Sequence, residues 1–116
     1  PVENSRLPVS QDNLEIIKSG MYKVVNGNGT AKRARNSKIK DFYGKTGTPE
    51  MGSVKLGNRY KNVWFVGFGR DATNRMIAIA VFVEHGDFGG TVSAPIAAKI
   101  LKEWLPDPDA DDDNQQ

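Results

Sequence analysis

A chain of 116 residues with 38% hydrophobic side chains is sized for one domain around one core. It has no cysteine and a single histidine, His85, which excludes a disulfide framework, a thiolate metal site and paired-histidine zinc motifs. The formal charge of +2 conceals a division: five of the fourteen acidic residues fall in the last ten positions, so the body before them carries sixteen basic and nine acidic groups.

A basic body suits an anionic partner: nucleic acid, an anionic polymer or a carboxylate substrate. The chain opens at Pro1 with no charged-then-apolar leader. The expectation is therefore a processed or excised segment whose export signal or anchor would stand upstream. The longest apolar run, residues 76–83, is too short to span a bilayer.

Residues 1–9 read as extended, with Pro8 opposing helix at Leu7. Ser10 is an N-cap signal, Asp12 and Glu15 suit the first turns, and Leu14, Ile17, Met21, Val24 and Val25 recur at helical spacing. Asn26-Gly27-Asn28-Gly29 then ends the helix with residues tolerant of positive φ. A basic connector follows, carrying Lys32, Arg33, Arg35, Lys38 and Lys40.

Three strands are expected, over residues 40–46, 62–69 and 76–84, the last two joined by a turn short enough for a hairpin. The unbroken apolar run of the third predicts a strand covered on both faces. A glycine-rich loop, residues 86–90, leads into a final helix. There Ile96, Ile100 and Trp104 align with Ala97, Leu101 and Leu105, and Lys99, Lys102 and Glu103 face outward. Beyond a body of residues 1–105, the acidic, proline-broken stretch 106–116 reads as a disordered tail. The fold class is α+β: a three-stranded antiparallel sheet flanked by an N-terminal and a C-terminal helix. Its strands are expected in the order first, second, third, with both helices on one face.

Chemistry concentrates in Gly44-Lys45-Thr46-Gly47-Thr48. A lysine and two hydroxyls can hold a carboxylate beside a reacting carbonyl, and glycine lets a substrate backbone lie against the strand. An N–H just past the glycine can face a developing oxyanion. Lysine and threonines on a solvated edge strand would give the same letters.

The motif has company. Leu14…Gly20-Met21 with Val24-Val25, Gly29-Thr30-Ala31, Gly44-Lys45-Thr46-Gly47-Thr48, Trp64-Phe65-Val66-Gly67-Phe68, Ala78-Ile79-Ala80-Val81-Phe82-Val83-Glu84 and Gly89-Gly90…Ser93-Ala94-Pro95-Ile96-Ala97 follow in order. In these elements the chain resembles the C-terminal segment of the transpeptidase domain of class B penicillin-binding proteins, whose fold is shared with serine β-lactamases. The Gly-Gly loop followed by Ala-Pro-Ile-Ala looks most like the elongation-type, monofunctional group.

The resemblance implies a D,D-transpeptidase that cross-links peptidoglycan stem peptides ending in D-Ala-D-Ala through an acyl-serine intermediate, and that binds β-lactams. It requires no cofactor or metal. Lys45, Thr46 and Gly47 match the family's third active-site motif. Thr46 and Thr48 would bind the substrate or β-lactam carboxylate, the Thr48 N–H would form half of the oxyanion hole, and Lys45 would tune a neighbouring proton-shuttling serine. The implied setting is the extracytoplasmic or periplasmic side of the cytoplasmic membrane.

The family's nucleophile, in a Ser-x-x-Lys motif opening a buried helix, and its Ser-x-Asn motif are not matched. Ser37-Lys38-Ile39-Lys40 fits the first pattern, but it lies in the basic connector eight residues before Lys45. Ser10-Gln11-Asp12 is better explained as a helix cap. The nucleophile is therefore expected upstream, the chain alone is expected to be inactive, and the remainder of the transpeptidase domain is its first partner. A strand edge left bare by that remainder could also pair with a second copy. Pro49-Glu50, Asn62 and His85 depart from the family's usual residues, and His85 reads as a solvated turn. Trp64 and Phe65 read as core, and residues 51–61 as a mobile border of the cleft.

Two other readings use the same residues. Class D β-lactamases and related β-lactam sensors also join a Lys-Thr-Gly strand to a Trp-Phe-Val-Gly strand, but the C-terminal helix and Thr48 favour the transpeptidase. A nucleic-acid-binding module could use the basic connector, but no aromatic is interleaved there and no recognition pattern appears, so no nucleic-acid partner is expected.

Overall fold

The computed structural model describes residues 6–36, 39–51, 60–70, 73–85 and 88–105. The expected tail and the Ser37–Lys38 pair lie outside them, as do residues 52–59 of the expected cleft border. The Ser10 hydroxyl accepts from the Asn13 N–H at 3.3 Å and opens helix α1 (Gln11–Asn26). Of the predicted apolar stripe, Val25 is fully buried, Leu14, Met21 and Val24 are half-buried, and Ile17 is exposed.

The end of α1 differs from expectation. Gly27 caps it at φ −92°, outside the left-handed region, with its N–H donating to the Lys23 carbonyl. The Arg35 guanidinium supplies the rest, donating to the carbonyls of Asn26 and Gly27 at 2.5 and 2.8 Å. A cation bonded to the last carbonyls of a helix satisfies groups that have no partner within it. One charge of the basic connector is thus structural. The connector also forms a short 3-10 turn, Lys32–Ala34, and buries Ala31 and Ala34.

Strands β1 (Lys40–Gly47), β2 (Glu50–Met51), β3 (Tyr60–Lys61), β4 (Val63–Arg70) and β5 (Met76–Val83) precede helix α2 (Ser93–Trp104). The main sheet is antiparallel in the order β1-β4-β5, as the sequence led us to expect. The β2–β3 ribbon, which brackets the expected cleft border, was not anticipated. In β1 the register slips between Lys40 and Tyr43, and Asp41 sits at φ 46°. This bulge adds one residue against β4, in a conformation that aspartate tolerates better than most side chains. Past it the strand alternates regularly, with Phe42 on one face and Tyr43 on the other.

On the Phe42 face lies the core. Phe42 meets Phe65 edge-on with centroids 5.8 Å apart, and both pack with Val81, Ala97 and Leu101. α2 lies over β4 and β5 here, with Ala94, Ala97, Ala98 and Leu101 inward. Ile96, Ile100 and Trp104, expected in line with that stripe, flank it at 39%, 41% and 69% exposure. Alanines allow a close approach to the sheet, and the bulkier side chains are left at its margin. Arg75 ties the end of α2 to the start of β5 through the Trp104 carbonyl, 2.6 Å away.

The opposite face corrects three expectations. Strict alternation along β4 buries Phe65 but leaves Trp64 at 41% exposure, tilted against Phe82 at 4.5 Å. β5 is covered on one face alone: Met76, Ala78, Ala80 and Phe82 are exposed, because α2 occupies only the other side. The helices do not share a face. α1 runs along β1, placing Tyr22 against Tyr43 at 5.6 Å, while Tyr43 stacks on Phe68 at 4.7 Å. Met21 borders the groove above Val66, Phe68, Ala78 and Ala80.

Candidate active site

Among the described residues β1 pairs only with β4, so its outer edge is free from Lys45 onward. Lys45 is exposed and shares a face with its cross-strand partner Val66. Its ammonium folds back to the Thr46 carbonyl at 2.5 Å. Thr46 points to the other face and is half-buried, its hydroxyl 2.8 Å from that of Thr30. Gly47 faces Trp64, and a Cβ built there would make only an ordinary 3.4 Å contact with the Trp64 Cβ. Packing within the chain therefore does not demand glycine at position 47, and the surface above it is open.

Thr48 is half-buried, and its hydroxyl accepts from the Gly89 N–H at 3.4 Å. No acceptor among the described residues takes the Thr48 N–H itself. The Gly89 carbonyl receives the buried Ser93 hydroxyl at 3.0 Å and the Ala94 N–H at 2.9 Å, joining this loop to the first turn of α2. Here glycine is compulsory. A Cβ at Gly89 would lie 2.7 Å from the Trp64 carbonyl oxygen, and one at Gly90 would lie 1.7 Å from that of Thr30. Lys61, in β3, holds its ammonium 4.9 Å from the centre of the Phe88 ring at the rim of the same loop.

Three separated segments therefore converge on the end of β1: the α1–β1 loop through Thr30, the strand itself, and the loop before α2. Together they offer a cation, hydroxyls and a free N–H, a set suited to a carboxylate and an adjacent carbonyl oxygen. Sequence reasoning had placed Thr30 and Gly89 in recurrent elements without giving either a role at the site. Among the serines of the described residues, Ser10 caps α1, Ser19 is exposed on α1 and Ser93 is buried at α2. His85 stands in the exposed turn after β5 at φ 57°.

A sequence model of the penicillin binding protein transpeptidase domain matches residues 1–102, and the chain belongs to this family. The peptidoglycan D,D-transpeptidase MrdA of Haemophilus influenzae is 29% identical to it over 102 residues, covering 78% of this chain and 16% of the relative. The chain thus spans less than a fifth of the length of that curated relative.

Proposed function

We propose that the chain is the C-terminal part of the transpeptidase domain of an elongation-type class B penicillin-binding protein, acting on stem peptides at the extracytoplasmic face of the membrane. The observation that carries this reading is the Lys45-Thr46-Gly47-Thr48 strand end, whose outer edge and Thr48 N–H have no backbone partner among the described residues and whose glycine is uncovered. Thr46 and Thr48 receive the substrate carboxylate, and the Thr48 N–H contributes half of the oxyanion hole. Lys45 supplies positive charge beside the group that relays a proton to the leaving amine. The acylated serine belongs to the upstream part of the domain.

Fluorescent penicillin tests the assignment. Acylation needs a serine oxygen about 3 Å from the lactam carbonyl with a base beside it. The isolated chain is expected to remain unlabelled, and the same chain joined to its upstream domain to give a stable covalent adduct on denaturing gels. Label on Ser37 of the isolated chain would refute the division of labour.

The isolated chain also leaves the outer edge of β5 without a strand partner among the described residues, beside exposed Met76 and Phe82. An apolar edge of this kind recruits another strand. Self-association that rises with concentration is expected in sedimentation velocity, and lysine at Ala80 should abolish it. A strict monomer at high concentration would contradict the expectation.

A further inference from the structure

We propose that Thr30 is a positioning residue for carboxylate recognition: it donates its hydroxyl proton to Thr46, leaving the Thr46 proton free to point from the β1 edge toward the bound carboxylate. This rests on the reading of the Lys45–Thr48 strand end given above. The two oxygens are 2.8 Å apart, the usual separation of an O–H···O bond, and the geometry permits either as donor. A bound carboxylate removes that ambiguity. It can only accept, and a threonine hydroxyl has one proton to give. Thr46 can bond a carboxylate only by donating outward, which leaves its lone pairs to receive the proton of Thr30. A hydroxyl that accepts one bond while donating another is the stronger donor for it.

Thr30 is also fixed in place, although its side chain is exposed. The next residue, Ala31, is fully buried, and its N–H donates to the Val24 carbonyl at 3.0 Å. The Thr30 carbonyl lies so close to Gly90 that no side chain could stand between them. Helix α1 and the loop before α2 therefore hold the Thr30 backbone from two sides, independently of β1. Thr46 is β-branched and has few side-chain orientations, and the bond to Thr30 selects among them.

The test uses the complete transpeptidase carrying this chain and compares acylation by a penicillin with acylation by its carboxyl methyl ester. Thr30→Val, and Thr30→Ala as a second variant, should slow acylation by the free acid about tenfold, as expected for loss of the one hydroxyl–hydroxyl bond that orients the Thr46 donor, and leave the ester unchanged. Thr30→Ser should restore the wild-type preference for the acid. Equal losses on acid and ester, or no loss on either, would overturn the role of Thr30. Failure of the wild-type enzyme to be acylated, or normal acylation of its Lys45→Ala variant, would instead overturn the underlying functional reading.

Discussion

Alanine at Lys45 in the complete transpeptidase should slow acylation by penicillin roughly 10²–10⁴-fold, the usual effect of removing a group that stabilises developing charge or assists proton transfer. The same change should leave the unfolding midpoint almost untouched. Lys45 is exposed, and its bond to the neighbouring Thr46 carbonyl can be replaced by water. The combination is diagnostic, since a residue important only for folding would move both quantities. Stopped-flow acylation and urea unfolding on one preparation give the answer. An acylation rate within a factor of two of wild type would remove β1 from the chemistry.

Phe65→Ala should have the opposite profile, destabilising the chain by about 3–5 kcal/mol. The ring is fully buried and lies against two glycines: a Cβ at Gly44 would come within 2.2 Å of it, and one at Gly67 within 2.8 Å. Neither glycine has a side chain that could move into the cavity, so relaxation is limited and the upper part of the range applies. Small domains have total stabilities starting near 5 kcal/mol, so much of the population should unfold without denaturant. Because Phe65 is the cross-strand partner of Thr46, the motif strand loses its support at the same time. A cooperative urea transition shifted by less than 1 kcal/mol would show that this core is more plastic than its geometry implies.

The order of elements was legible because each carries a local signal: Ser10 before a helical repeat, β-branched and aromatic residues in 62–69, and glycines ahead of the last helix. What faced what was less legible. An apolar run such as residues 76–83 does not say which of its sides will find a partner, and α2 is too narrow to cover both. The bulge at Asp41 shifts the register of β1 against β4, and it leaves no mark beyond one aspartate that can adopt a positive φ. Past the bulge the strand alternates regularly, and Tyr43 lies on the side reached by α1, where Tyr22 meets it. The candidate site divides in the same way. Lys45 to Thr48 form a contiguous word, whereas Thr30 and Gly89 reach it across 16 and 41 residues. Contacts of that range leave no periodicity to read, although both residues sit in elements singled out for other reasons.

The link from Thr48 through Gly89 to Ser93 has a genetic corollary. A nonsense codon anywhere between residues 90 and 93 would spare every residue of β1 and still release the Gly89 carbonyl from the Ser93 hydroxyl and the Ala94 N–H that hold it. Such an allele also strips Ala97 and Leu101 from the core, so it should abolish function through loss of folded protein, whereas Ser93→Ala would loosen the same link with α2 in place. In a screen for penicillin-insensitive variants, substitutions at Ser93 and at Thr48 would then fall into one phenotypic class, and truncations lacking α2 into another.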